Sequence, residues 1–357
     1  MPAFVQPRHA KAQSLREKDL TAPRDRLGMQ EQSLGCDMLF AYRWEAGKLV
    51  KLAHDAGIDQ AIWIDLYKPL PAQVERVTAL GLDVPTLADM EEIEISNRLY
   101  HEPGGDYITV VLPGLSETKV HTAGPVCFIL TPARLITVRH HAPRPFETFP
   151  ERSDKGAAGC DTPEKLFLSL IDEIVGRLAD LLEGTGRGLE EVYRMVLDQD
   201  GQGQAPASLQ SAMQRIGRES ELIARVRLSL LTLERAIGFH TLSLTDKKMD
   251  PVLKPIAKGL QRDISALEVH CDYLATRVAQ ATDATLGMIN LLQNVTVRIV
   301  SVVAVLFLPP TLIASIYGMN FALMPELAWV AGYPMAIVMM VASAAGSYLY
   351  FKFKKWL

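Results

Sequence analysis

Two long apolar runs near the end of the chain dominate its hydrophobic pattern. The first covers residues 295–316 and contains one charge, Arg298, whereas the second covers residues 331–351 and contains none. About 20 consecutive apolar residues are enough for an α-helix to cross a hydrocarbon core of roughly 30 Å. The pattern therefore predicts a hairpin of two transmembrane helices, connected by residues 318–330.

The charges around these runs predict how the hairpin is oriented. The connecting loop carries only Glu326, whereas residues 352–357 carry three lysines. Lysine and arginine accumulate in segments that stay on the cytoplasmic side of a membrane. We therefore expect the loop to lie outside, and both long flanks, with the N- and C-termini, to lie in the cytoplasm.

Residues 36–150 show the mixed pattern of an α/β domain, after a polar extension over residues 1–35 that we expect to be flexible. Pro71 opens a short predicted helix to Leu80, and Thr86 with Asp89 forms a capping pair for a helix to about Asn97. Short apolar or alternating segments predict strands. These cover residues 38–42, 48–52, 61–66, 107–112, 126–130 and 135–139.

Beyond this domain the pattern becomes helical. Residues 160–245 predict a pair of helices that is interrupted near Gly201 and Gly203. A third helix is expected to begin near Pro251 or Pro255 and to continue without a break into the first membrane span, within a segment covering residues 250–317. Such a helix would be roughly 95 Å long at ~1.5 Å per residue. It is too long for a span alone, so we interpret its first part as a cytoplasmic stalk.

Composition argues against several classes of protein. The formal net charge is −4, and no lysine or arginine cluster predicts binding to nucleic acid. The four cysteines form no Cys-x-x-Cys pair, which argues against a structural zinc site. No nucleophile elbow, Walker loop or dinucleotide fingerprint predicts an enzyme or an organic cofactor.

The first membrane span carries a stripe of small and weakly polar residues that recur every three or four positions. Helical spacing places them on one side of the helix. Small residues also let membrane helices approach closely, so the stripe alone fits either packing or the lining of a pore. The stripe comprises Asn294, Val297, Ser301, Ala304, Leu308, Thr311, Ser315 and Gly318.

The segment after this stripe resembles the signature of a known family. Tyr317-Gly318-Met319-Asn320, then Met324-Pro325-Glu326-Leu327 and the closing Lys354-Lys355-Trp356-Leu357, are similar to the CorA family of magnesium and cobalt channels. The resemblance implies a homopentameric funnel in the inner membrane of a prokaryote. It implies an α+β cytoplasmic domain, with a mixed sheet and flanking helices, joined to a stalk helix and the membrane hairpin.

The resemblance also implies roles for individual residues. Gly318, Met319 and Asn320 would form the selectivity filter, and the stripe from Asn294 to Ser315 would line the pore. Val300 and Leu308 would form its hydrophobic gate, and Glu326 would attract cations to the outer mouth. Transported ions would be Mg²⁺ and, as further candidates, Co²⁺ and Ni²⁺. Regulatory Mg²⁺ would bind Glu91, Glu92 and Asp263.

Two other interpretations remain open. One is a zinc transporter of the ZntB type, which has the same fold; Met319 and residues 324–327 favour the magnesium branch instead. The other is a membrane-anchored helical scaffold or sensor that conducts nothing. Arg298 in the inner part of the first span favours this second alternative, as does Gly259 at the position where the resemblance implies a stalk carboxylate.

Overall fold

The structure, a computed structural model, describes residues 39–53, 57–92, 94, 98–115, 121–156, 158–197, 206–246, 252–319, 324–325 and 329–354. The chain forms two compact units. One consists of Met1–Val175 with Leu231–Arg262, and the other of Gly176–Leu230 with Asp263–Leu357. Each unit is described separately.

The first unit contains a seven-stranded mixed sheet. Its order is β2-β1-β3-β7-β6-β5-β4; only the neighbours β3 and β7 run parallel, while the other pairs are antiparallel. The strands are β1 (Leu39–Glu45), β2 (Lys48–Lys51), β3 (Trp63–Tyr67), β4 (Leu99–Glu102), β5 (Gly105–Leu115), β6 (His121–Leu130) and β7 (Leu135–Arg139).

The sheet is buried on both faces at its centre. Successive side chains of β3 point to opposite faces, and Trp63, Ile64, Asp65 and Leu66 are all nearly inaccessible to solvent. Ile64 and Leu66 belong to the main apolar core. On the other face Trp63 stacks on Tyr42, with ring centroids 4.8 Å apart. Burial on both faces explains why β3 reads as a continuous apolar run.

A buried ion pair interrupts this second face. The guanidinium of Arg139 on β7 donates to the carboxylate of Asp65 on β3 at 2.9 Å, and the hydroxyl of Thr137 donates to the same carboxylate at 2.7 Å. The indole N–H of Trp63 donates to Thr137 at 3.1 Å. The pair is therefore embedded in a hydrogen-bond network, which is what makes a buried charge tolerable.

Three short helices accompany the sheet: α1 (Pro71–Thr78), α2 (Leu87–Glu91) and α3 (Pro145–Arg152). The predicted capping pair is confirmed, since the Thr86 hydroxyl accepts from the Asp89 N–H and Asp89 accepts from the Thr86 N–H. The predicted continuation of α2 toward Asn97 is wrong at Glu92, and residues 95–97 of that prediction lie outside the described residues. Glu92 takes an extended conformation, with φ −55° and ψ 137°, and its carbonyl accepts from the Arg98 guanidinium at 2.6 Å.

Four long helices follow: α4 (Pro163–Leu197), α5 (Pro206–Asp246), α6 (Leu253–Tyr317) and α7 (Gly332–Phe353). The predicted third helix is confirmed as a single element of 65 residues that contains Pro309 and Pro310. In the second unit, α4, α5 and α6 share a core that includes Val192, Leu209 and Ala281.

Salt bridges and aromatic contacts reinforce the packing of the second unit. Arg277 of α6 lies over the ring of Tyr193 of α4, 4.8 Å from its centroid. Arg227 of α5 forms an ion pair with Asp272 of α6 at 3.0 Å. Both side chains of this ion pair are largely exposed.

One histidine links the acid stability of the sheet to its packing. His141 is buried, and its Nε2 lies 2.8 Å from the carbonyl oxygen of Leu112. A Cβ atom at Gly114 or Gly124 would come within 3 Å of its ring. Burial is the main cause that lowers the pKa of His141 to about 4, with the charge of Arg139 acting in the same direction.

This lowered pKa predicts that the sheet unit loses stability in acid. An imidazole in the unfolded chain titrates near pH 6.5, so the unfolded state takes up the proton first. The free energy of unfolding should fall between pH 6.5 and 4, by up to about 3 kcal/mol at ~1.4 kcal/mol per pKa unit. His141→Gln keeps a side-chain donor for the Leu112 carbonyl oxygen but removes the imidazole. The free energy of unfolding of this variant, measured by urea titration with tryptophan fluorescence, should therefore lose its dependence on pH in this range. His270→Gln, at an exposed position, is the control; equal pH slopes in the two variants would contradict the assignment.

Candidate functional site

Among the residues that the structure describes, two helices have the length and composition needed to cross a membrane. They are α6, in its later part, and α7. In the most apolar 18-residue stretch of α6, only 6% of the residues are buried inside the protein, and in that of α7 only 11% are. A core helix of a soluble protein would be mostly buried, so these apolar surfaces need a bilayer or further copies of the chain to cover them.

The residues of the predicted stripe are all exposed in the single chain. The exposed fractions are 64% for Val297 and 63% for Leu308, and Val300 near the predicted gate is exposed to 63%. The other members, Asn294, Ser301, Ala304, Thr311 and Ser315, are exposed as well. Val297 also lines a groove together with residues of α5.

The hydroxyl groups of the stripe are oriented by the helix itself. Ser301 donates to the carbonyl oxygen of Val297 at 2.8 Å, and Thr311 donates to those of Phe307 and Leu308 at 3.0 and 2.9 Å. A hydroxyl whose proton is used in this way offers only lone pairs to an outside partner. The stripe therefore presents acceptors at these two positions, which suits a cation or the waters around it.

Two consecutive prolines lie beside Leu308. Pro309 and Pro310 have no N–H, so α6 lacks two ladder hydrogen bonds, to the carbonyls of Val305 and Leu306. Sequence reasoning missed these prolines as a functional feature. Their spacing from Leu308 was the signal that could have identified them as a weak point of the helix next to the predicted gate.

The family signature begins where α6 ends. The Gly318 N–H donates to the Ala314 carbonyl at 2.9 Å and the Met319 N–H to that of Ile316 at 3.2 Å, which closes the last turn. A Cβ at Gly318 would lie 3.1 Å from the Ala314 oxygen, a tight contact. Met319 is exposed. Asn320 and Glu326 lie outside the residues that the structure describes.

The predicted regulatory carboxylates occupy a different helical position from the one expected. Glu91 is the last residue of α2 and Glu92 follows it, so both lie at the carboxyl end of this helix and not at its start. Both are exposed. The residue of the acidic run that caps the helix start is Asp89, whose pKa is lowered by hydrogen bonds from the Thr86 hydroxyl and backbone N–H.

Charged groups lie within electrostatic range of Glu91. Burial and the Lys68 ammonium lower the pKa of His140, while Glu91 acts in the opposite direction. Asp263 is exposed on α6 and belongs to the second unit. Among the described residues, no group of three or more His, Cys, Asp or Glu side chains forms a ready-made metal site within the single chain.

Comparison with known proteins places these features in a family. The sequence model of the family described as "CorA-like Mg²⁺ transporter protein" matches residues 59–355. The chain is 34% identical over 325 residues to the magnesium transport protein CorA of Pasteurella multocida and 33% identical over 324 residues to that of Haemophilus influenzae. Each alignment covers 90% of this chain and the whole of the relative.

Solved structures show the same fold. The complete CorA magnesium transporter of Methanocaldococcus jannaschii superposes with a TM-score of 0.66 at 19% identity, over 90% of this chain and 99% of that one. The full-length CmaX protein gives 0.57 at 14% identity, over 89% and 97% of the two chains. The predicted architecture is thereby confirmed: a soluble α+β domain, a long helix and two apolar helices at the end of the chain. With the family model covering most of its length, this chain belongs to the family of CorA-like Mg²⁺ transporter proteins.

Proposed function

We propose that the chain forms a homopentameric Mg²⁺ channel in the inner membrane of a prokaryote, which admits Mg²⁺ to the cytoplasm and is closed by cytoplasmic Mg²⁺. The family consists of transporters, so the chain is not an enzyme. The observation that carries the proposal is the exposed stripe of α6, which leads directly into Gly318-Met319-Asn320. Co²⁺ and Ni²⁺ are proposed as further cargo because they are hydrated divalent ions too.

The oligomer follows from the exposure of the stripe. A single hairpin cannot enclose water, yet Leu308 and Val297 are nearly two-thirds exposed and Ser301 and Thr311 present acceptors. A ring of five chains, each contributing α6, would place these groups around a common axis with α7 outside. A head-to-tail interface between identical chains generates a closed ring of this kind when the rotation closes.

The filter suits an ion that keeps its water. Mg²⁺ dehydrates reluctantly, and five Asn320 amide oxygens would accept hydrogen bonds from its water shell without replacing it. A neutral ring also binds weakly enough for release, which conduction requires. Gly318 would let backbone carbonyls approach the axis, because no Cβ intervenes. Glu326 in five copies would raise the local cation concentration at the mouth.

The driving force is electrical. A membrane potential contributes ~2.3 kcal/mol per elementary charge per 100 mV, and a divalent ion gains twice as much. This is enough for uptake without a nucleotide. Within the span, a ring of Leu308 side chains would resist ions by excluding water, so closure at this level needs no charged plug.

Regulation would act through Glu91 and Glu92. The negative end of a helix dipole lies at its carboxyl terminus, where these carboxylates sit, so the dipole adds to their mutual repulsion. A divalent cation shared with an acidic residue of the next chain, for which Asp263 is the candidate, would relieve it. Loss of that cation would loosen the interface and let α6 tilt.

The filter assignment is tested by Asn320→Ala. Removal of the amide ring should reduce Mg²⁺ flux into proteoliposomes at least about tenfold, the factor for each 1.4 kcal/mol of lost stabilisation. Val330→Ala is the control, because this side chain is exposed in the connecting loop and lies outside the filter triplet. Gel filtration would establish that both variants assemble. Undiminished flux through an assembled Asn320→Ala pentamer would exclude this filter, and absence of flux from the native protein would favour the non-conducting scaffold.

The gate assignment is tested by Leu308→Asn. A polar ring should wet the constriction, so we expect flux that persists at internal Mg²⁺ concentrations that close the native protein. Leu306→Asn is the control, since two residues correspond to about 200° around the helix. Unchanged inhibition by internal Mg²⁺ in Leu308→Asn would locate the gate elsewhere, with Val300 or Val297 as the next candidates.

The regulatory assignment is tested by the double variant Glu91→Lys, Glu92→Lys. Tethered ammonium groups should replace the cation, so protection of the cytoplasmic part from protease should no longer depend on Mg²⁺. Closing a mostly open population takes about 5.5 kcal/mol in total, or roughly 1 kcal/mol at each of five sites. Glu94→Lys is the matched control, because Glu94 is also exposed. Normal Mg²⁺ protection of the double variant would place the sensor elsewhere.

A further inference from the structure

An apolar groove lies between the beginning of α5 and the part of α6 that approaches the membrane. Its volume is about 670 Å³, within the range of sites that bury a ligand the size of two side chains or more. The walls are formed by Leu209 and Met213 of α5 and by Ile289 and Leu292 of α6. The amides of Gln210 and Gln293 and the hydroxyl of Thr296 provide polar groups in this lining.

Helix lengths indicate that α7 ends at about the same membrane depth as this groove. Both membrane helices must cross the same bilayer, and only residues 318–331 connect them. The 22 residues of α7 extend about 33 Å at 1.5 Å per residue. Measured back from Tyr317 along α6, the same length reaches the neighbourhood of Thr296, which lines the groove. We therefore expect the segment after Phe353 to leave the membrane at about the depth of the groove.

The order of residues in this segment favours a protein partner over lipid. Lys354 and Lys355 come first, and Trp356 and Leu357 follow. Lysines near a helix end extend to the membrane surface. Residues beyond them are further into the water, whereas an aromatic anchor in the bilayer interface would precede the lysines. Trp356 and Leu357 thus need apolar cover on the cytoplasmic side of the surface.

We propose that Trp356 and Leu357 dock into this groove of their own chain. Four extended residues after Phe353 reach about 13 Å, and this is the span over which the proposal requires the groove to lie from the end of α7. The apolar walls would cover the indole and the isobutyl group, and an amide oxygen of Gln210 or Gln293 would accept the indole N–H, which needs a partner when buried. The contact would tie the inner end of α7 to α5 and α6. The proposal rests on the proposed topology, with this segment in the cytoplasm, but not on the identity of the ion.

Disulfide trapping tests the proposal on the full-length protein in membranes. In a background in which Cys36, Cys127, Cys160 and Cys271 are replaced by Ala, Met213→Cys is combined with Leu357→Cys. A docked pair should form a disulfide within one chain at least about tenfold faster than an undocked pair, because docking raises the effective concentration of the thiols. Ser211→Cys with Leu357→Cys is the control, since Ser211 is exposed on α5 and does not line the groove.

Each outcome of the trapping experiment has one meaning. Docking is supported if a disulfide within one chain forms rapidly for the pair with Met213→Cys and slowly for the control pair with Ser211→Cys. Equal rates for both pairs, or disulfides between chains, overturn docking within the same chain. Labelling of Leu357→Cys in intact cells by a membrane-impermeant maleimide would instead refute the proposed topology. That result separates a failure of the proposed function from a failure of this inference.

Fluorescence provides a second test that needs no cysteine. The difference between the spectra of the native protein and Trp356→Phe isolates the emission of Trp356. Docking predicts blue-shifted emission that is not quenched by brominated lipid and that shifts to the red when Leu292→Asp makes the groove polar. Ser211→Asp should leave the emission unchanged. Strong quenching by brominated lipid would show that the bilayer, and not the groove, covers Trp356, and would overturn the proposal.

Discussion

The absence of hydrogen-bond partners in hydrocarbon is the constraint on which the rest of the structure depends. A backbone that crosses a bilayer must satisfy its own polar groups, which a continuous helix does. In this chain the helix that meets this requirement is not confined to the membrane. It continues as α6 from Leu253 to Tyr317. The signature at Gly318 therefore follows directly on a helix that begins 65 residues earlier, at Leu253.

The two prolines are the exception that this constraint allows. Pro309 and Pro310 remove two hydrogen bonds in the middle of the span, and the hydroxyl of Thr311 donates to the neighbouring carbonyls of Phe307 and Leu308. Proline is also where long helices bend. A tilt that begins at the cytoplasmic end would thus concentrate at the level of Leu308, next to the proposed constriction, and would leave the filter beyond it less disturbed.

The sequence correctly predicted those elements in which one physical effect, such as burial on both faces, determines the hydrophobic pattern. Residues 61–66 were recognisable as a buried strand because burial on both faces leaves Asp65 as their one polar residue, and the membrane helices were recognisable because their surfaces are almost entirely apolar. The Thr86–Asp89 pair located the start of α2, but its end depended on Arg98 binding the carbonyl of Glu92, a contact that no local rule contains. The edge strand β4 was missed since its pattern is half exposed. Helix α3 was missed because Pro145 and Pro150 were interpreted only as marking the end of the α/β domain.

The candidate site was harder to derive than the fold because a pore is a property of several copies. In one chain, Leu308 and Ile299 are exposed to a similar degree, although one would face water and the other lipid. Apolar exposure alone cannot distinguish these faces. The few polar groups of the span distinguish the two faces. The acceptors at Ser301 and Thr311 lie on the same side of α6 as Gly318, at helical spacing. Polar groups in hydrocarbon are costly unless they face water or each other. Their alignment is therefore the physical reason to place an axis, rather than lipid, in front of the stripe.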